Sequence, residues 1–494
     1  MSYLLALDQG TTSSRAIIFN EHGHIQATAQ RETHIHTPHS GWVEQDAVEI
    51  WSTQIAVVQQ ALANANILAK DIKAIGLTNQ RETTVVWDKR TGKPLAPAII
   101  WQDRRASDWC NRLIQQNLQE TIKQKTGLRI DPYFSAGKLV WLLENIKGLH
   151  ALAEQGHVAF GTVDSWLIWN LTQGAAHVIE ASNASRTMLM NLQTQTWDEE
   201  LLEQFNIPRS VLPEIIASDS YVADTAQGLL GATIPITGIL GDQQSALFGQ
   251  SCFDAGTAKN TYGTGCFMLF NTGQHLQLSQ NKLLSTLAWK AQDQTTYALE
   301  GSVFMAGAVV QWLRDGLGII QKSADVEKLA CKVNDSDGVV LVPAFTGLGA
   351  PHWDSEARAL MCGMSRGTTK AHIARAALES IAFQVSDVLS AMQHDIAQPL
   401  KELRVDGGAS SNDMLMQFQA DILNVPVLRP KMLESTAWGA AAMAGLKAGV
   451  FSSLDEIAQS WQLERAFEPQ MQNDQREAHL FKWQSALKRA KSDL

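Results

Sequence analysis

Two short stretches of this sequence, about half a chain apart, share one build. Residues 3–19 run YLLAL, then DQGTTSS, then RAIIF, and residues 258–270 run AKNTY, then GTG, then CFMLF. An apolar run, a turn of glycine and small hydroxyl residues, and a second apolar run spell a β-hairpin. A unit that recurs at this distance points to a duplicated architecture. At 494 residues the length suits roughly three ordinary units, and two large lobes suit it equally.

Between the two hairpins, helical spacing at 46–65, 137–147 and 197–206 alternates with β-rich runs at 72–78, 83–87 and 96–101. That alternation predicts an α/β protein. The amphipathic run from Gln243 to Gln250 ends before a turn at Phe253–Gly256. We place the lobe border there, giving an N-terminal lobe over 1–252 and a C-terminal lobe over 253–494. No low-complexity linker separates them, so the lobes are expected to pack together. His22 and His24 lie in NEHGH at 20–24, which reads as a hairpin turn rather than a metal site.

A net charge of -10 argues against a protein that coats nucleic acid, which needs clustered Lys and Arg. The opening MSYLLALD meets a carboxylate too early for a signal peptide, and no apolar stretch reaches spanning length. No membrane insertion is expected. The five cysteines, Cys110, Cys252, Cys266, Cys331 and Cys362, are scattered and include no C-x-x-C pair. This pattern fits free thiols in a reducing, cytoplasmic setting.

No P-loop and no dinucleotide fingerprint occurs in the sequence. Phosphate binding would fall instead to the two Gly/Thr turns, where consecutive backbone amides form an anion-binding concavity. Thr11, Thr12, Ser13 and Thr264 add hydroxyl donors. Asp8 ends the first strand with no evident structural partner and is placed to orient Mg²⁺, which binds through few carboxylates and keeps its waters. LRVDGGASSNDMLMQF at 403–418 reads as a strand, a tight turn and a helix capped by Ser410, Ser411 or Asn412.

Taken together, LDQGTTSSR at 7–15, NQRETT at 79–84, GDQQ at 241–244, NTYGTG at 260–265 and DGGASSN at 406–412 resemble the FGGY carbohydrate kinases. The resemblance is strongest to members that phosphorylate glycerol, and it runs in order across essentially the whole chain. It implies a two-lobed, actin/hexokinase-like fold of duplicated ribonuclease-H-like domains with the site in the cleft between them. It also implies ATP and Mg²⁺, glycerol as acceptor, ADP as co-product, and a homo-oligomer, dimer or tetramer. By matching motif, Thr11, Thr12, Ser13 and Arg15 meet nucleotide phosphates from the first lobe. Thr264, Gly307, Gln311, Gly408 and Asn412 meet the nucleotide from the second. Gly307 and Gln311, in FMAGAVVQW at 304–312, are spaced to share one helical face.

The resemblance makes Asp242, at the end of PITGILGD, the general base, and a metal ligand with Asp8. A carboxylate that accepts the hydroxyl proton makes a better nucleophile as the bond to phosphorus forms. An Asp at a strand end is otherwise a common helix cap. Arg81, Glu82, Tyr133, Asp242 and Gln243 are implied to hold glycerol, with Trp101 and Phe267 sandwiching its carbons. Arg81 and Glu82 are adjacent, so in a regular strand they face opposite ways; both reach one pocket only if the backbone bends before Thr83. Otherwise they are a surface ion pair. Two other readings stay open: a kinase for xylulose, ribulose or gluconate, and an ATP-gated binding protein of the actin kind.

Overall fold

The computed structural model describes residues 2–396 and 399–492. The first hairpin forms as the sequence leads one to expect: Tyr3–Gln9 pairs antiparallel with Ser13–Asn20, with Asp8 opposite Arg15. Ile25–Glu32 adds a third antiparallel strand, and the turn before it contains His22 and His24, whose amides donate to Asn20 Oδ1 at 3.0 and 2.9 Å. On the other side of Tyr3–Gln9, Ile72–Asn79 and then Pro235–Gly241 run parallel to it. In these parallel strands Leu4, Leu5, Ala6 and Leu7 are fully buried, as are Ile75, Leu77, Ile239 and Leu240. Both faces are covered, which is why the runs are continuously apolar rather than alternating.

The second sheet repeats the plan. Ala258–Tyr262, Cys266–Gly273 and Gln294–Val303 form an antiparallel set, and Leu403–Asp406 and Val427–Pro430 follow in parallel on the other side. Leu284–Ala291 and Leu463–Phe467 extend its two edges. Two sheets of the same strand order and direction bear out the duplication read from the hairpins.

Register decides where chemistry can happen. Gln9 lies opposite Asn79, and Asn79 opposite Gly241, so three parallel strands of the first sheet end in one line. In the second sheet Thr261 lies opposite Asp406. The Gly10–Ser13 turn, the 80–84 segment and Asp242 therefore share one rim, and the 263–265 and 407–412 turns share another. Ligands of α/β sheets collect at such carboxyl ends.

The halves are joined by two helices. Ser435–Lys447, from the second half of the chain, packs on Ile72–Asn79 and Pro235–Gly241 of the first sheet and on the helix Asp242–Gly249. Their backbones touch: a Cβ on Gly439 would stand 1.9 Å from the Ser245 carbonyl oxygen, and one on Gly76 would stand 2.1 Å from that of Ala440. Only glycine allows this approach. One shared core results, in which Leu4, Phe19 and Leu247 meet Trp438 and Ala441.

Candidate active site

The segment 79–84 leaves its strand at Asn79 and turns sharply, Thr83 N–H donating to Arg81 O at 2.7 Å. Glu82 takes φ 59°, a left-handed conformation uncommon for a residue with a side chain. This is the bend that adjacent Arg81 and Glu82 require in order to serve one pocket. Both are buried, at 2% and 1% exposure, so the surface-pair reading falls.

Arg81 meets Glu300 in a two-pronged contact, Nη1 to Oε2 at 2.5 Å and Nη2 to Oε1 at 3.1 Å. Its Nε lies 3.1 Å from Asp242 Oδ1. Asp242 is the first residue of its helix, and its Oδ1 accepts the Gln243 amide at 2.7 Å. Its side chain nonetheless keeps 30% exposure, so it is open to a ligand as well as engaged at the helix start. Burial among protein atoms raises its pKa to about 6, opposed mainly by the Arg81 charge, while Glu82 adds to the rise. At neutral pH it is ionised and a stronger base than an ordinary aspartate.

Gln243 is held by Lys259, whose Nζ donates to Oε1 at 2.6 Å. Lys259 is fully buried on the second sheet, and burial pushes its pKa down to about 8. Tyr133, Trp101 and Phe267 form the apolar wall: Trp101 lies 5.8 Å from Tyr133 and 6.4 Å from Phe267 between ring centroids. The planes of Trp101 and Phe267 stand at 82°. They meet edge to face, the preferred aromatic geometry, and so make a corner, the form in which the two rings implied to sandwich the carbons stand here. Burial raises the Tyr133 phenol well above its usual value.

On the first-lobe rim, Gly10 N–H donates to Ser13 O at 2.9 Å, closing the turn. Thr12 is exposed and Thr11 and Ser13 half-buried. The Trp101 indole N–H donates to Thr11 Oγ1 at 2.9 Å, tying this turn to the aromatic wall. Asp8 has a partner after all: Arg15, facing it across the strand pair, donates through Nε to Oδ2 at 3.0 Å. The same guanidinium reaches Glu434 of the second half at 2.6 Å, and the two carboxylates drive its pKa above the usual value.

On the second rim, Thr264 is exposed and its carbonyl accepts the amides of Ala306 and Ala308 at 2.9 and 3.1 Å. Gly307 opens the helix Gly307–Asp315, with Gln311 exposed one turn on. The Gly307 amide is taken by Gly263 O at 2.9 Å and its carbonyl lies in the first turn of the helix, so its Cα is what remains to face a ligand. Gly408 is exposed, with nothing within 4 Å of the position a Cβ would take. Of the three cap candidates, Asn412 caps the next helix, its Oδ1 accepting Leu415 N–H at 2.8 Å.

Three site residues escaped the sequence reading: Glu300, Lys259 and Arg186. Arg186 is fully buried and donates through Nε to Glu82 at 2.7 Å and through Nη2 to Glu300 at 2.9 Å. For Glu300 the one signal was a lone charge inside an apolar run, YALEGSV at 297–303; Lys259 and Arg186, among small and hydroxyl residues, gave none. For Mg²⁺, the fit is with an ion brought by a polyphosphate. No group of three or more His, Cys, Asp or Glu among the described residues makes a metal cage, and such ions take one or two carboxylates plus phosphate oxygens.

A duplicated α/β fold with a polar constellation and two Gly/Thr turns on facing rims defines a sugar- or polyol-phosphorylating kinase. The chain belongs to the FGGY family of carbohydrate kinases, whose N-terminal and C-terminal domain profiles match residues 3–249 and 258–448. It is 81% identical to the glycerol kinase of Acinetobacter baylyi over the whole of both chains. It is 58% identical to that of Deinococcus radiodurans over 99% of this chain and 97% of the other. Among solved structures, Plasmodium falciparum glycerol kinase with ADP superposes with a TM-score of 0.94 at 36% identity, covering 100% of this chain and 99% of that one. A gluconate kinase from Lactobacillus acidophilus, 22% identical, shares the fold at a TM-score of 0.89 over 99% and 97% of the two chains. Among the described residues no helix is long and apolar enough to cross a membrane.

Proposed function

We propose that this chain transfers the γ-phosphoryl group of ATP to a terminal hydroxyl of glycerol, giving sn-glycerol 3-phosphate and ADP. The observation that carries the reading is the joining of Arg81, Glu82 and Asp242 into one connected polar set beside the Trp101, Tyr133 and Phe267 corner. A three-carbon triol needs donors and acceptors for each hydroxyl and an apolar wall for its carbons. The glycerol kinases that match at 81% and 58% identity support the same acceptor.

In this reading Glu82 and Arg81 orient two hydroxyls, and Asp242 accepts the proton of the third as its oxygen approaches phosphorus. Thr11, Thr12, Ser13 and Arg15 bind phosphate oxygens from one rim and Thr264 from the other, while Gly307, Gln311, Gly408 and Asn412 border the nucleoside. Mg²⁺ would be held by the ATP phosphates with Asp8 and Asp242, where it supplies charge stabilisation for the leaving phosphate. Enclosure between the two rims keeps water from replacing glycerol as acceptor. We divide the chain into lobes at 252/253 and infer a cytoplasmic homo-oligomer, the unpaired cysteines supporting the compartment. ADP release is measured with glycerol, with pentoses, with hexonates and with no acceptor. Release specific to glycerol is expected; release with xylulose or gluconate alone overturns the assignment.

A further inference from the structure

Arg81 and Glu82 pair only loosely, their closest charged atoms 3.9 Å apart and beyond hydrogen-bond distance. Each is held by a residue of opposite charge from elsewhere. Glu300, in the middle of the second-sheet strand Gln294–Val303, takes both Nη atoms of Arg81. Arg186 takes Glu82 Oε1 through Nε and closes the circuit on Glu300 Oε1 through Nη2. All four side chains are at most 2% exposed. We infer that Glu300 and Arg186 are positioning residues for the acceptor pocket: Glu300 fixes the plane of the Arg81 guanidinium, and Arg186 fixes the carboxylate of Glu82.

Three observations favour this over a purely structural ion-pair network. Buried ion pairs contribute little net stability, because desolvation offsets their attraction. This one also leaves Arg186 Nη1 buried with no hydrogen-bond partner among the described residues, a costly defect in a network built for stability. Finally, the division of the Arg81 donors matters. Nη1 donates to Glu300 and to Gln244, Nη2 donates to Glu300, and the face of the guanidinium turned to Asp242 presents Nε. Released from Glu300, a guanidinium prefers the two-pronged carboxylate contact, which would occupy both oxygens of Asp242. Glu300 thus keeps Arg81 aimed at the acceptor without letting it cover the carboxylate that must meet the hydroxyl. Because Glu300 belongs to the second sheet and the other three to the first half of the chain, the circuit also sets the acceptor pocket in register with the nucleotide rim.

The inference rests on the glycerol kinase reading, so the wild-type chain is assayed beside the variants; absence of glycerol-dependent ADP release there fails that reading, not this one. For Glu300→Gln with a melting temperature near wild type, we expect glycerol KM to rise about tenfold or more and kcat to fall about tenfold, with ATP KM within about twofold. For Arg186→Met, the rise in glycerol KM should dominate. Arg186→Lys should not restore it, because an ammonium cannot bridge two carboxylates as a guanidinium does. If Glu300→Gln does not fold, Glu300→Asp keeps the charge with a shorter reach and should still raise glycerol KM severalfold at unchanged ATP KM. Unchanged glycerol KM in a folded Glu300 variant, equal shifts in both KM values, or full rescue by Arg186→Lys would overturn the inference.

Discussion

Asp242 stands at the meeting of three demands: the first residue of a helix, the neighbour of a buried guanidinium, and a carboxylate with 30% of its side chain still open. Asp242→Asn keeps the shape and the Gln243 amide contact while removing the proton acceptor. Turnover should fall by about two or more orders of magnitude, with glycerol and nucleotide binding by calorimetry close to wild type; near-normal turnover would remove Asp242 from the base role. Tyr133→Phe should raise glycerol KM severalfold and leave ATP KM unchanged. Trp101→Ala should move both, since the same indole that walls the acceptor corner donates to Thr11 on the phosphate turn; steady-state KM values for the two substrates separate these outcomes. The Arg81–Glu82 bend was legible because adjacency alone poses a geometric problem with one solution. Glu300, Lys259 and Arg186 were not, because a single charge carries no spacing to read, and its partner lies over a hundred residues away for Glu300 and Arg186. Asp8 misled in the other direction: its partner Arg15 is seven residues on, visible only once hairpin register is fixed.

At the level of elements, the hairpins were legible because their turn chemistry and flanking apolar runs agree, and the helix Ala47–Ala65 because Asp46 caps a long amphipathic run. The run at 96–101 proved a two-residue strand, Ala98–Ile99: Ile99 is buried among helix residues such as Trp109 and Leu139, and Ala98 in the core of the first sheet, without a long ladder. What no local pattern announces is the contact between Ser435–Lys447 and the first half, because a glycine reads alike whether it faces solvent or another backbone. Gly439→Ala should therefore cost about 1–3 kcal/mol or more by forcing the two helices apart, read as a lower urea midpoint. Gly148→Ala, with open space around it, serves as a comparison in which only its φ of 79° is strained. A second element is sensitive to pH. Glu180 caps the short helix Ala181–Ala184 and accepts from Ser218 Oγ at 2.6 Å. Burial raises its pKa from 4.5 to about 7, and the hydrogen bonds offset this only in part. The folded chain then binds more protons than the unfolded chain between about 4.5 and 7, so stability falls as pH rises through that window. Glu180→Gln should flatten the fall in melting temperature between pH 5 and 7.5. Asp164, raised by burial to about 6, keeps part of the slope. An unaltered slope would show that Glu180 is not responsible.

Over the whole molecule, duplication was written in the two hairpins, and the rims fall where repeated strand ends must fall; how tightly the halves are clasped had no counterpart in the sequence. Three ionic contacts span them next to the site. Arg81–Glu300 and Arg186–Glu300 are buried at the floor, whereas Arg15–Glu434 lies nearer the surface, with 26% and 38% of the side chains exposed. This outer clasp is half-buried and more open to water and salt than the buried floor pairs, which weakens its attraction. Arg15 already satisfies Asp8, and a phosphate group reaching for it must compete with the Glu434 carboxylate and is repelled by it. Glu434→Gln removes that competitor while keeping a similar shape. ATP KM should then fall about two- to fivefold, with glycerol KM unchanged, because Glu434 contacts no residue of the acceptor set. The gain should shrink as salt is raised from about 50 to 500 mM, since Coulomb repulsion at a site partly open to solvent is screened over about 10 Å at 0.1 M. Steady-state kinetics of wild type and Glu434→Gln at both ionic strengths decide it: a rise in ATP KM would mean that Glu434 orients Arg15 for the phosphate instead of withholding it, and a salt-independent gain would mean that the effect is one of shape rather than charge.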